Sequence, residues 1–199
     1  MKQRRILLFT VAALAAVGVG LLIIPGLNRG SLTVSARLVY TDGQAQAVAG
    51  EAFYLLDADP LRLLIDGDRT EGRALASQVS REHPRLEALA RVLDARRRYA
   101  YPLGAEVGSF VEDARPVWER HVVQSAGTDR EGRARFQNLR PGDYWLMGRA
   151  PTRGGLAFWN LPVRVERGSN QLSLEPDNSL ECSSCLVSPW ASARENAHP

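Results

Sequence analysis

Hydrophobic and polar positions alternate along "LTVSARLVY": Leu32, Val34, Ala36 and Leu38 fall on one side, Thr33, Ser35 and Arg37 on the other. A period of two predicts a strand with one face in a core and one in water. "TDGQAQA" follows as a turn rich in residues that tolerate left-handed backbone, and "VAGEAFYLLDAD" predicts a second, more deeply buried strand. From about Pro60 the period lengthens. Leu86, Leu89, Ala90 and Leu93 recur at helical spacing behind Pro84, which suits a first helical turn. Val107, Phe110, Val111 and Ala114 repeat the pattern until Pro116 interrupts it. The intervening Arg96 to Arg98 run reads as a solvated helix end, where cations complement the helix dipole. Short apolar runs return at "HVVQSAGTD" and continue to "NQLSLEPDN", broken by "TDREG", "NLRPGD", "PTRGG" and "ERGSN". Short strands at this spacing predict a mainly β, antiparallel sandwich. A helical insertion is expected at about 60–120. Residues 30–187 form the domain, and the aperiodic 188–199 stretch forms a mobile tail.

The N-terminus changes the picture most. Ile6 to Ile24 is an unbroken uncharged stretch behind Lys2, Arg4 and Arg5. It approaches the roughly 20 residues that cross a hydrocarbon core. The flanking charge predicts a cytoplasmic N-terminus and an extracytoplasmic domain. Small residues such as Ala15, Ala16, Gly18 and Gly20 leave a cleaved signal peptide open. We read residues 1–29 as a stub, an uncleaved transmembrane signal-anchor and a linker, with the domain exported in either case. The membrane is thus one expected partner, and the localisation is periplasmic or cell surface.

Composition adds little. A chain of 199 residues holds one well-packed domain, and a formal charge of +3 is too small to announce nucleic acid. Lys2 is the only lysine among 25 basic residues. Arginine scattered along the whole chain fits GC-rich codon usage better than an anion-clamping surface, though its fork suits planar anions. Cys182 and Cys185 suit an oxidising compartment, and a local disulfide is the simplest reading of their CxxC spacing. Thiols that bridge a dimer, or a metal, remain alternatives. Leu186 stands where haem attachment would need His.

"TDREGRARFQNLRPGDYWLMG" concentrates acids, bases, aromatics and glycines. Asp129 can cap backbone N–H groups and Gly132 can take positive φ, which predicts a reversal. Ala134 and Phe136 then share an inward face. Pro141 and Gly142 suit the centre of a second turn, and Tyr144 and Leu146 resume that face. Every residue in the run has a structural use, so a catalytic explanation is unnecessary. The pattern T-D-x-x-G-x-A-x-F-x-x-L-x-P-G-x-Y-x-L resembles the signature of carboxypeptidase regulatory-like domains. These stand with the transthyretin-like and Cna B-type β-sandwiches. "VSARLVYTDGQAQAVAGEAFYLLD" is similar to that group's opening strands and "LPVRVERGSNQLSL" to its last hairpin, so the resemblance spans 31–59 and 121–175. It implies an Ig/transthyretin-like sandwich acting as a non-enzymatic accessory module. The helical stretch is a departure. The group's chemistry finds no matching residues. Lys2 precedes the apolar stretch and cannot form a lysine–asparagine cross-link, the chain lacks a closing Tyr-Arg-Gly-Ser, and neither His83 nor His121 begins an HxxE pair.

Other candidates are few. Asp57, Asp59, Asp66 and Asp68 do not fit a calcium loop, because Glu71 and Ser77 fall where Gly and Glu are needed. They read as loop and capping residues. No metal or other cofactor is expected. With Tyr144 and Leu146 inward, Trp145 and Met147 point outward, and Trp159 is expected on the same outer face. These aromatics can stack on sugar rings or anchor a partner, unless the inserted helices cover them. The expected partner is another envelope protein or a glycan. An enzyme at the sandwich–insertion junction, using acids such as Glu112 and Asp113, is the third possibility.

Overall fold

The computed structural model of the chain describes residues 28–66, 84–96, 111–182 and 185. The expected span at Ile6 to Ile24, the 188–199 tail, His83, His198 and Asp68 lie outside these residues. Among the described residues no helix is long and apolar enough to cross a membrane. In chain order the strands are β1 (Gly30–Val39), β2 (Ala45–Ala47), β3 (Ala52–Leu56), β4 (Val122–Gly127), β5 (Arg133–Leu139), β6 (Gly142–Thr152), β7 (Gly155–Val165), β8 (Gly168–Leu174) and β9 (Glu181–Cys182). Between β3 and β4 lie α1 (Pro60–Asp66), α2 (Pro84–Arg96) and the single turn α3 (Arg115–Trp118).

Two sheets form a β-sandwich. In sheet I, β1 pairs with β5 along its first half and with β2 along its second, while β8 runs along its other side. Sheet II has the order β4-β3-β6-β7-β9 and is antiparallel throughout. The expected all-antiparallel sandwich is corrected at one pair, since β1 and β8 are parallel from Gly30↔Gly168 to Ala36↔Leu174. The cause is the crossing from β7 through Glu166 and Arg167. It delivers β8 to sheet I at the end where β1 begins, so both strands run away from that end. A second correction concerns "AQA", taken as part of a turn. It is strand β2, and Gly43 at φ 79° tightens the hairpin before it.

The strict alternation of β1 follows its sequence: Leu32, Val34, Ala36 and Leu38 are buried between the sheets. Phe53, Leu55, Phe136, Leu146, Trp159, Val163, Val165 and Leu174 fill the same core. The outer face of sheet II is apolar as well. Leu56, Met147 and Phe158 pack beneath Leu61, Leu64, Leu89, Ala90, Leu93, Val117 and Trp118 of the helical layer, forming a second core. A sheet that is apolar on both faces needs cover on both, and the helices supply it.

The helical segment leaves and returns through a narrow neck. Leu56 pairs with Val122, the Asp57 N–H donates to the His121 carbonyl at 3.0 Å, and His121 Nδ1 lies 2.9 Å from an Asp57 carboxylate oxygen. Asp59 then starts α1, its Oδ1 accepting the Leu61 N–H at 3.0 Å with Pro60 in the first helical position. Arg62 meets Asp94 at 2.9 Å and ties α1 to α2.

Candidate interaction surfaces

The residues of the reversal motif are held by short-range bonds. Asp129 Oδ1 accepts the N–H groups of Glu131 and Arg133 at 3.0 and 2.8 Å. These donors, above all the Arg133 N–H, hold the Asp129 carboxyl below the usual carboxylate range, and the Arg133 guanidinium adds to the effect. Gly132 adopts φ 76°, and a Cβ there would lie 2.5 Å from the Ala36 carbonyl. Phe136 is fully buried. Tyr144 packs at the edge of the same core and donates its hydroxyl to the Arg140 carbonyl at 2.7 Å, closing the turn that contains Pro141. The left-handed residue of this second turn is Asn138, at φ 56°, while Gly142 opens β6 without positive φ. Asparagine tolerates that conformation better than other side chains do.

The expected aromatic surface is not one. Gly148 pairs with Trp159 across β6 and β7, so Trp159 shares the inward face of Tyr144 and Leu146. It is fully buried against Phe53, and its indole N–H donates to the Glu175 carbonyl at 3.0 Å. Trp145 and Met147 do point to the outer face of sheet II, as expected. Met147 is fully buried under the helical layer, and Trp145 is half-buried against it. The three side chains therefore do not combine into a platform.

Cys182 and Cys185 form a disulfide. Its ring spans the open side of the sandwich, because Cys182 pairs with Ala157 in sheet II while Cys185 bridges to Tyr40 at the end of β1. Nearby, Arg153 from the β6–β7 turn reaches over the Tyr40 ring to Asp42 and Gln44.

At the junction of sandwich and helices lies a cleft of about 120 Å³, lined by Glu51, Tyr54, Glu112, Arg115, Trp118 and Arg149 among others. Tyr54 and Trp118 stack obliquely at 5.0 Å. Glu112 is held by Arg149 at 2.6 Å, so this acid fastens the layers together. Asp113, beside it, does not line the cleft. No group of three His, Cys, Asp or Glu able to hold a metal occurs among the described residues.

One sheet face has no layer over it among the described residues. On the outside of sheet I, Arg133, Ser35 and Ser173 form one row across β5, β1 and β8, and Arg135, Thr33 and Gln171 form the next. All of these but Ser173 line a shallow depression that also touches Ser31 and Gln137. Sequence reasoning passed over this face because Ser, Thr and Gln on a strand's wet side look ordinary one strand at a time. Only the register assembles them.

Neither a family model nor a curated protein matches the chain. Solved structures give only distant likenesses. A candidate carbohydrate-binding protein of Pseudomonas aeruginosa is 13% identical, with 75% of this chain and 90% of that chain covered and a TM-score of 0.38. The minor pilin GBS52 of Streptococcus agalactiae is 13% identical over 81% of this chain and 48% of its own, with a TM-score of 0.36. The SpaB basal pilin of Lactobacillus rhamnosus GG is 16% identical over 73% and 94%, with a TM-score of 0.32.

Proposed function

We propose that this chain is a membrane-anchored, extracytoplasmic module of the carboxypeptidase regulatory-like type. It would serve protein interaction or envelope structure without catalysing a reaction. The observation that carries this reading is the sequence of Lys2, Arg4 and Arg5 followed by the uncharged run from Ile6 to Ile24, with the first strand beginning only at Gly30. The Cys182–Cys185 disulfide supports it, because such bonds persist where the medium is oxidising. Glu112 at the sandwich–insertion junction joins the layers through Arg149, and the Asp129–Gly132 run is a turn. The contact surface is then the uncovered polar face of sheet I, where hydroxyls, amides, Arg133 and Arg135 stand in register and Arg37 continues the same face of β1.

Protease added to intact cells, compared with cells whose envelope has been opened, tests the topology. Digestion from outside the cytoplasmic membrane, sparing a short N-terminal fragment in the membrane pellet, is the expected result. A domain protected until the cytoplasm is breached would overturn the proposal.

A further inference from the structure

The strand register sets three arginines side by side at one end of sheet I. Gly30 pairs with Leu139 in antiparallel fashion and with Gly168 in parallel. The residues one step outward are Arg140, Arg29 and Arg167, so these form a single row across adjacent strands about 5 Å apart. All are exposed. Arg29 donates to the Asn138 carbonyl at 3.3 Å, and none of the three forms an ion pair with a described carboxylate.

The Arg29 and Arg167 parts of the row are held close together. A Cβ on Gly30 would lie 2.3 Å from the Glu166 carbonyl, so β1 can approach the β7–β8 turn this closely only with glycine. The Asn170 side chain accepts the Glu166 N–H and donates to the Glu166 and Ser31 carbonyls, stitching that turn to β1. The same end of sheet II contributes Arg164 and Asp143, which meet at 3.4 Å. Counting Glu166, the sheet I side of the rim carries Arg29, Arg140 and Arg167 against one carboxylate. On the sheet II side Arg164, Arg115 and Arg120 stand with Asp143, Asp57 and Glu119, so the net positive charge lies on sheet I. At the opposite end acids and arginines balance: Arg153 meets Asp42, Arg133 meets both Asp129 and Glu131, and Arg130 stands beside them.

This basic end is where the chain enters the domain. Ile24 and Gly30 are separated by six residue steps, which span at most about 20 Å. We propose that the Arg29–Arg140–Arg167 row rests on anionic phospholipid headgroups of the membrane holding the anchor, fixing the domain upright with its Asp42 and Asp129 turns facing away. The inference rests on the anchored reading above. Each arginine near a charged bilayer contributes about 1 kcal/mol, or roughly fivefold.

The test is hydrogen–deuterium exchange on the full chain in nanodiscs of phosphatidylcholine alone, or of phosphatidylcholine with an equal part of phosphatidylglycerol. Amides of Leu139, Arg140 and Gly142 and of residues 166–168 should exchange more slowly in the anionic discs at low salt, and the difference should vanish at high salt. Substituting R140Q and R167Q together should lower the docked-to-undocked ratio by about 25-fold while leaving the amides around Phe53 and Trp159 unchanged. Identical exchange in both lipids, with the chain retained in the discs, would overturn the docking alone. Equal protection in neutral discs by a soluble anionic polysaccharide would reassign the row to a different partner. Chain that leaves the discs in an alkaline carbonate wash would overturn the anchored reading and this proposal with it.

Discussion

Gly148 shows how one missing methyl fixes the inner core. A Cβ at that position would lie 2.1 Å from the Phe53 ring, and Phe53 in turn packs at 6.0 Å from Trp159. Because both rings are fully buried, neither can yield without opening the sandwich. Gly148→Ala should therefore cost about 2 kcal/mol by overpacking, read as a lower denaturant midpoint at unchanged m-value. Adding Phe53→Leu should recover part of that loss. Simple additivity of the two changes would refute a direct clash. Asp129 acts at the same scale through charge. Its folded-state carboxyl titrates below the ordinary value, so its ionised form adds stability that is complete above about pH 4. That contribution shrinks as the pH falls from there through the depressed native value. Asp42 behaves alike, chiefly because the Gln44 N–H and secondarily the Arg153 side chain favour its charged form. Melting temperatures measured from pH 6 to pH 2 should fall along an acid limb. The limb should flatten in Asp42→Asn/Asp129→Asn, since an amide oxygen keeps the backbone bonds but not the titration.

Elements are joined by a buried polar contact that apolar packing alone would not provide. Asp59 lies almost wholly buried at the start of α1, and its Oδ1 accepts both the Leu61 N–H and Asn160 Nδ2, the latter at 3.1 Å from the middle of β7. Asp59→Ala would strand a buried amide donor and uncap the helix, for an expected loss of about 3 kcal/mol. Asp59→Asn should cost less, because its oxygen still accepts. Equal losses for the two variants, measured by urea unfolding, would show that geometry and not polarity matters there. This contact also marks where the sequence stopped being legible. β1 was readable because its wet face is polar, and the Asp129 reversal because Asp and Gly have distinct backbone chemistry. β7 was not. Ala157, Phe158, Trp159 and Asn160 are consecutive and all buried, so alternation cannot say which face holds the indole. The pairing of Trp159 with Gly148 decides it, and that is a long-range fact. The parallel alignment of β8 and the arginine row likewise arise from which strands become neighbours, which no local pattern encodes.

For the whole molecule, the helical layer can be a separate working part or a cover for sheet II. The neck allows the two to be separated. Leu56 and Val122 are already paired, so a short hairpin turn can replace residues 58–120 without changing either strand's register. Excision would uncover Leu56, Trp145, Met147 and Phe158, now packed beneath α1, α2 and α3. Side chains of this size expose a contiguous apolar patch on the order of 400 Å² or more, beyond what soluble monomers usually tolerate. The shortened chain should thus bind a hydrophobic dye strongly and self-associate in sedimentation, while keeping the β signature of its circular dichroism. Changing Trp145, Met147 and Phe158 to threonine in the shortened chain should restore a dye-silent monomer, because threonine suits a strand and tolerates water. A shortened chain that is soluble and dye-silent without those changes would mean the helices are not needed as cover. Their presence would then require a role of their own, with the cleft between Tyr54, Trp118 and Arg149 as the place to seek it.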